Sequence, residues 1–156
     1  MKSTEGLDMS RRIPILFGTE SGNAEDCAER LAESLCDAGH ESEAIDMMDF
    51  TPEDIAHEQL VFIVTSTHGN GGPPANAAGL LSYLKGADLA LGSLRYAILG
   101  LGDTSFAYFA QCGKDFDAAL EKLGAQRVLE RIDCDVDFDD DYDRFEELVL
   151  EYVAQN

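Results

Sequence analysis

The hydrophobic pattern of the chain alternates between two periods. Short apolar runs, typical of buried strands, are separated by segments in which apolar residues recur every three or four positions, as in helices. The predicted strands cover residues 13–17, 43–47, 60–65, 96–99 and 127–132, and the predicted helices cover residues 24–38, 76–85, 111–123 and 142–154. Thr51 and Pro52 add a helix-start signature. Strands that alternate with helices predict an α/β fold, in which a five-stranded parallel sheet has helices on both faces.

The loops after the first, third and fourth predicted strands are the richest in glycine and hydroxyl groups. They read "GTESGNA", "STHGNGGPPANA" and "GLGDTSFAYFA". In an open parallel sheet, ligands bind outside the carboxyl ends of the strands. Because all three loops leave the sheet at that edge, the sequence predicts a binding site there.

The first of these loops has the chemistry of an anion site without any cation. It offers the hydroxyl groups of Thr19 and Ser21, the amide of Asn23 and the backbone N–H groups of a helix N-terminus, whereas residues 18–29 contain no Lys or Arg. Neutral donors of this kind suit a terminal phosphate. A nucleotide-binding P-loop is excluded because the G-K-[ST] signature is missing. A loop that only caps the following helix stays open as the alternative.

The other two loops supply aromatic rings and a histidine. Phe106, Tyr108 and Phe109 lie in the loop after the fourth strand, where large apolar rings are costly unless a ligand or the core covers them. His68 precedes a glycine-rich stretch in the loop after the third strand. The rings are either one wall of a site for a flat ligand or plugs of the core. The histidine is either part of that site or a solvated side chain.

The net charge of the chain limits the kinds of molecule that it can bind as a partner. Of its 156 residues, 31 are acidic and 11 are basic, which gives a net charge of −20. Such a surface repels nucleic acid and anionic membranes. The charge indicates either a docking face for a basic protein partner or a surface adapted to high solubility or high salt. No apolar run approaches the ~20 residues of a membrane span. The N-terminal residues also lack the apolar core of a secretion signal, so we expect a cytoplasmic protein.

The length of the chain suits one domain. We expect a flexible tail over residues 1–12 and a single domain over residues 13–156. The four cysteines are widely spaced, at Cys27, Cys36, Cys112 and Cys134. Their spacing predicts reduced and mostly buried thiols rather than a metal site or a disulfide framework.

Three motifs give the chain a resemblance to a known family. "GTESGNAE", "STHGNGGPPANA" and "GLGDTSFAYFAQCGKDFDAALEKLGAQRV" resemble the FMN-binding, flavodoxin-like domain of diflavin reductases, such as cytochrome P-450 reductase and the sulfite reductase flavoprotein. The likeness extends over residues 13–152. It implies a three-layer flavodoxin-like fold, a parallel sheet with strand order 2-1-3-4-5, and FMN as the cofactor.

The resemblance also implies a role for each loop. The first loop would hold the FMN phosphate, the second would line one side of the isoalloxazine ring, and the third would line the other side with Phe106 as the stacking ring. An acid of the loop after the fifth strand is expected near the ribityl chain, and Asp133, Asp135 and Asp137 are the candidates. The predicted site comprises Thr19, Glu20, Ser21, Gly22, Asn23, Ala24, Ser66, Thr67, His68, Gly69, Asn70, Gly71, Leu101, Gly102, Asp103, Phe106, Tyr108, Phe109, Ala110 and Asp135. The family often has tyrosine where His68 and Phe106 stand, so the tuning of the ring is expected to differ here.

The function implied by the resemblance is single-electron transfer. The FAD and NADPH domains of diflavin reductases have no counterpart in these 156 residues, so we expect a free-standing, monomeric flavodoxin, similar to cindoxin, with a separate flavin reductase as electron donor. The expected acceptor is a haem enzyme with a basic docking face, either a cytochrome P-450 monooxygenase or a sulfite-reductase-type haemoprotein. The alternative is a flavin-dependent NAD(P)H/quinone reductase on the same fold.

Overall fold

A parallel sheet forms the centre of the computed structural model, which describes residues 7–68 and 70–156. Its strands are β1 (Ile13–Gly18), β2 (Ser42–Asp46), β3 (Leu60–Thr65), β4 (Arg95–Leu101), β5 (Gln126–Arg127) and β6 (Ile132–Cys134). The strands pair in the order β2-β1-β3-β4-β5, and β6 also pairs with β4, further along that strand. The predicted order 2-1-3-4-5 is confirmed.

Helices cover both faces of the sheet. They are α1 (Asn23–Asp37), α2 (Ala78–Gly86), α3 (Gln111–Lys122) and α4 (Asp139–Gln155). The helices α1 and α4 pack on one face, and α2 and α3 pack on the other. None of the helices within the described residues is long and apolar enough to cross a membrane.

The alternation of side chains along each strand creates two separate cores. In β3, Leu60, Phe62 and Val64 pack against α1 and α4, whereas Val61 and Ile63 pack against α2 and α3. Successive side chains of a strand point to opposite faces, so a strand covered on both sides is apolar at every position. This burial explains why β3 could be predicted at its observed bounds.

The fifth predicted strand, residues 127–132, is wrong as a single element. The chain forms two short strands, β5 and β6, with a break between them. Both Arg127 and Arg131 donate hydrogen bonds to the carboxylate of Asp117 on α3, at 2.9 and 2.5 Å. Residues 128–131 between the two strands are irregular, and this segment brings both arginines to the one carboxylate.

Helix starts also differ from the prediction, and α2 begins at Ala78 rather than at residue 76. The last helix begins at Asp139 rather than at residue 142, because three acids in its first turn, Asp139, Asp140 and Asp141, interact favourably with the helix dipole. Thr51 and Pro52 do precede a helical segment. That segment is a short 3-10 helix, Pro52–His57, and the Thr51 side chain makes no capping hydrogen bond.

The described part of the predicted tail contacts the domain. Leu7 and Met9 pack against the core beneath α1 and α4. The backbone of Asp8 exchanges two hydrogen bonds with the side chain of Gln59, at 2.9 and 2.6 Å. Residues 1–6 lie outside the described residues, and their predicted flexibility stays a prediction.

Candidate functional site

The loops after β1, β3 and β4 meet at the carboxyl edge of the sheet, and the loop after β6 completes a cleft of about 210 Å³. The loop after β1 contributes Glu20, Ser21 and Asn23, and the loop after β3 contributes Ser66, Thr67 and His68. The loop after β4 contributes Leu101, Gly102, Asp103, Phe106, Tyr108 and Ala110, and the loop after β6 contributes Asp135, Val136 and Phe138. Thirteen of the twenty residues predicted for the site therefore line one cleft.

The loop after β1 presents the N-terminus of α1 to this cleft. No side chain caps the helix, which begins after Gly22, so its first N–H groups remain for a ligand. The side chains of Ser21 and Asn23 line the cleft beside this helix end. Thr19 shapes the loop, since its hydroxyl oxygen accepts the N–H of Gly22 at 2.9 Å. Ala24 buries its side chain in the core, which leaves its backbone for any ligand contact.

Two acids at the cleft are engaged by other groups of the chain. The Glu20 carboxylate lies 3.2 Å from Nε2 of His68, so this pair bridges the loops after β1 and β3. Oδ1 of Asp103 accepts the N–H and the hydroxyl of Ser105 at 2.8 and 2.5 Å. Of the described residues that line the cleft, none is Lys or Arg. A phosphate here would therefore bind through neutral donors and the helix dipole.

The third acid of the cleft, Asp135, is occupied as well. Its carboxylate accepts the N–H and the hydroxyl of Thr104 at 3.0 and 2.5 Å, and the N–H of Val136 at 2.8 Å. These hydrogen bonds stabilise the ionised form and lower the pKa of Asp135. The acid thus joins the loop after β6 to the loop after β4.

The aromatic rings lie on the side of the cleft formed by the loop after β4. Phe106 and Tyr108 are 51% and 55% exposed, which is unusual for side chains of this size. Gly71 lies against the Tyr108 ring, and a Cβ at position 71 would be 2.8 Å from Cβ of Tyr108, so only glycine allows this approach. Phe109 is half-buried, and the ammonium group of Lys114 lies 5.5 Å from its ring centroid.

The loop after β3 is a turn closed by its own backbone. His68 donates its N–H to the carbonyl of Gly72 at 2.8 Å, and its carbonyl accepts the N–H of Gly71 at 2.8 Å. The side chain of Asn70 accepts the N–H of Gly72 at 2.9 Å, so Asn70 and Gly71 form the turn and do not line the cleft. Gly69 lies outside the described residues, and its predicted role stays a prediction.

The comparisons with known proteins agree with this geometry. The family model for flavodoxin matches residues 15–151 of the chain. The chain belongs to the flavodoxin family. Flavodoxin-type electron transfer with FMN is the activity that this membership supports.

Similar proteins include both enzyme components and free flavodoxins. The chain is 39% identical to the sulfite reductase [NADPH] flavoprotein alpha-component of Bacillus subtilis (strain 168), over 85% of this chain and 22% of that protein. It is 43% identical to the same component of Vibrio cholerae serotype O1 (strain ATCC 39315), over 83% of this chain and 21% of that protein. The chain thus spans about a fifth of the length of these relatives.

Two solved flavodoxin structures share the fold over nearly the whole chain. A flavodoxin from Streptococcus pneumoniae TIGR4 has a TM-score of 0.82 at 26% identity, over 94% of this chain and all of that chain. A cysteine-to-alanine mutant of a flavodoxin from Pseudomonas aeruginosa has a TM-score of 0.79 at 27% identity, over 92% and 97% of the two chains.

The cofactor of this flavodoxin is FMN, and the donor set of the cleft fits it. Neutral hydroxyl and amide groups lie beside an uncapped helix N-terminus, as a terminal phosphate requires. Exposed rings lie on another wall of the same cleft, as a flat heterocycle requires. When bound, FMN supplies the redox chemistry, and the chain supplies binding, orientation and electrostatics.

Sequence reasoning missed two apolar residues of the site. Val136 and Phe138 line the cleft from the loop after β6. The available signal was their position, since they are the apolar residues in the acidic run "DCDVDFDDD". Val136 is also 65% exposed, which marks it as a residue that does not serve the core.

Proposed function

We propose that this chain carries single electrons by means of FMN held in the cleft at the carboxyl edge of the sheet. The observation that carries the proposal is the meeting, in one cleft, of an uncapped helix N-terminus with neutral donors and a pair of exposed aromatic rings. Neither feature alone specifies a ligand. Together they match a ligand with a phosphate at one end and a flat ring at the other.

The proposed roles follow the walls of the cleft. The phosphate binds to Ser21, Asn23 and the first N–H groups of α1. These neutral donors are assigned to it because no Lys or Arg lies among the described residues of the cleft. Phe106 and Tyr108 cover the ring from the loop after β4. The segment Ser66–His68 lines the ring from the loop after β3. The Glu20–His68 pair holds the two opposing loops together.

The net negative charge of the helices lies on one face of the sheet. Helix α1 has five acids and one arginine, and α4 has seven acids and one arginine, so this pair carries a formal charge of −10. The helices α2 and α3 together have three acids and three lysines, so the opposite pair carries no net charge. Helix α4 begins directly after Phe138, which lines the cleft. The acidic face is therefore continuous with the mouth of the cleft.

This distribution supports a partner with a basic docking face. Opposite charge accelerates encounter and orients the two proteins, so the partner approaches the face from which the cleft opens. The proposed acceptor is a haem enzyme, either a sulfite-reductase-type haemoprotein or a cytochrome P-450 monooxygenase. The names of the relatives in Bacillus subtilis and Vibrio cholerae support testing the sulfite reductase type first. The proposed electron donor is a separate flavin reductase.

Stopped-flow absorbance tests the proposal against the quinone reductase alternative. The FMN-loaded chain is mixed with NADPH alone, and then with NADPH and a catalytic amount of a flavin reductase. We expect bleaching of the flavin band only in the second mixture, followed by reoxidation when a haem acceptor is added. Rapid bleaching by NADPH alone would show direct NADPH oxidation and would support the alternative.

A further inference from the structure

Asp135 connects the two loops that flank the ring side of the cleft. Strands β4 and β6 run side by side, and the backbone ladder extends one step beyond them through the Gly102 N–H, which donates to the Cys134 carbonyl at 2.9 Å. At the next residues the connection passes to side chains. Both carboxylate oxygens of Asp135 accept hydrogen bonds from Thr104, from its N–H at 3.0 Å and from its hydroxyl at 2.5 Å.

The carboxylate of Asp135 is nearly saturated by the chain itself. The Val136 N–H adds a third hydrogen bond at 2.8 Å. A carboxylate has about four acceptor positions, and three are filled here. Asp135 therefore has little capacity left to bind a ligand directly, although it lines the cleft. Its main structural effect is on Thr104.

Thr104 lies at the start of the segment that carries the exposed rings, residues 103–110, which we name the aromatic loop. The rings of Phe106 and Tyr108 are more than half exposed, so their own burial contributes little to holding the loop in place. The hydrogen bonds between Asp103 and Ser105 lie within the loop. The contact with Asp135, in contrast, fixes the part of the loop before Phe106 to the loop that follows β6.

We propose that the Asp135–Thr104 contact is a clamp that holds the aromatic loop in its flavin-binding shape before the flavin binds. Asp135 is then a positioning residue, which acts through Thr104 on the rings. The inference rests on the proposed FMN site. A preformed loop loses less conformational freedom on binding, so the clamp strengthens binding of the ring, whether or not the ligand has a phosphate.

The test compares variants that remove the clamp with variants matched in chemistry. Thr104→Val removes the hydroxyl, Thr104→Ser keeps it, and Asp135→Ala removes the acceptor. Thr51→Val is the control for the hydroxyl, because the Thr51 side chain caps nothing. Glu130→Ala is the control for the charge, because Glu130 is an exposed acid that precedes β6 and does not line the cleft. Dissociation constants for FMN and for riboflavin are measured from flavin fluorescence on each full-length variant.

We expect Thr104→Val and Asp135→Ala to weaken FMN and riboflavin binding by the same factor, about tenfold. Thr104→Ser and both controls should stay within twofold of the wild type. The Thr104→Val/Asp135→Ala double variant should bind no more weakly than Asp135→Ala alone, because Asp135→Ala already removes the hydrogen bond that Thr104→Val breaks. Folded Thr104→Val and Asp135→Ala proteins that bind both flavins within twofold of the wild type would overturn the inference. A loss confined to FMN, or an equal loss in Glu130→Ala, would overturn it as well.

A second measurement tests, in the absence of flavin, whether the clamp orders the aromatic loop. Heteronuclear NOE values on the flavin-free full chain report the order of the aromatic loop on the nanosecond timescale. We expect ordered values in the wild type and in Thr104→Ser, and lowered values in Thr104→Val. Equal values in wild type and Thr104→Val would contradict the clamp. A wild type that binds no flavin would contradict the proposed function instead, so the two failures are distinguishable.

Discussion

Gly102 stands where the chain leaves β4, and it has no room for a side chain. A Cβ at this position would lie 2.7 Å from the backbone nitrogen of Ala110 and 3.1 Å from its Cα. Ala110 itself has a φ of 53°, a left-handed conformation that costs a non-glycine residue about 1–2 kcal/mol. The two residues fix the distance between the end of β4 and the start of α3, and thereby the ends of the aromatic loop.

Substitution of Gly102 by alanine should therefore be costly. We expect Gly102→Ala to lower the free energy of unfolding by about 2 kcal/mol, because the new methyl group meets backbone that cannot move aside. Gly79→Ala is the matched control, since Gly79 lies on the exposed side of α2 with no atom within 4 Å of a Cβ. The control should be neutral or stabilising by up to about 1 kcal/mol. Urea unfolding of both variants checks this, and equal stabilities would contradict the packing described here.

Asp117 joins three elements beneath the site. It is 3% exposed on α3, and its carboxylate accepts hydrogen bonds from the Tyr96 hydroxyl of β4 at 2.6 Å, from Arg127 of β5 at 2.9 Å and from Arg131 at 2.5 Å. Removing the carboxylate leaves the buried Tyr96 hydroxyl without its acceptor and two partly exposed arginines without their counter-charge. This carboxylate therefore anchors the segment between β5 and β6 to α3.

We expect Asp117→Ala to cost about 3 kcal/mol of unfolding free energy, because a buried hydroxyl loses its acceptor and two arginines lose their counter-charge. Asp115→Ala, on the same helix, removes a more exposed carboxylate that lies 4.0 Å from Lys85 and should cost less than about 1 kcal/mol. Chemical denaturation of the two variants gives the comparison. A loss for Asp117→Ala no larger than that for Asp115→Ala would show that the buried network does not stabilise the fold.

The elements differ in how far the sequence determines them. β1, β3 and β4 could be predicted because burial on both faces makes their positions apolar. The break between β5 and β6 could not, since the arginines of this segment bind a carboxylate of α3, and the local pattern does not show such a long-range contact. The composition of three loops pointed to the edge of the sheet at which the cleft lies. Loop composition could not predict that Val136 and Phe138 line the cleft, because they reach it through the pairing of β6 with β4. It also could not predict the contact between Glu20 and His68, because that contact depends on the direction of the side chains.

The buried thiols link the stability of the whole molecule to alkaline pH. Burial raises the pKa of Cys27 and of Cys112 from 9.0 to about 11, and that of Cys134 to about 12. The folded state holds these protons up to a higher pH than the unfolded state does. Stability is therefore unaffected by these groups below pH 9 and falls as the pH rises above it.

At pH 10, each thiol with a folded pKa of about 11 should reduce the unfolding free energy by about 1.4 kcal/mol relative to neutral pH. We expect Cys27→Ala to remove about that much of the fall between pH 7.5 and pH 10, measured by urea unfolding. Cys36→Ala is the control, because this side chain is already exposed in the folded protein. If Cys27→Ala shows the full fall of the wild type, the thiol is not the cause.

The uneven charge of the two faces predicts directional steering of a basic partner. Asp139, Asp140 and Asp141, changed together to asparagine, should slow the reduction of cytochrome c, a basic haem protein, and flatten its salt dependence. Changing Asp88, Asp115 and Glu121 to their amides alters the net charge equally on the opposite side, and should have a smaller effect. The rates are compared between about 0.01 and 0.15 M ionic strength, over which the Debye length falls from ~30 to ~8 Å. Equal effects of the two triple variants on the rate would contradict directional steering, and the acidic charge would then serve solubility or adaptation to salt.

The most direct measurement is a comparison of FMN with riboflavin, which differs by the phosphate alone. Fluorescence titration of the purified chain should give FMN a dissociation constant more than about a hundredfold lower than that of riboflavin. The Ser21→Ala/Asn23→Ala variant should lose most of that difference, because two hydrogen bonds to a charged group contribute about 3 kcal/mol. Riboflavin binding as tightly as FMN, with FMN affinity unchanged within twofold in the double variant, would contradict the assignment of the phosphate to the N-terminus of α1.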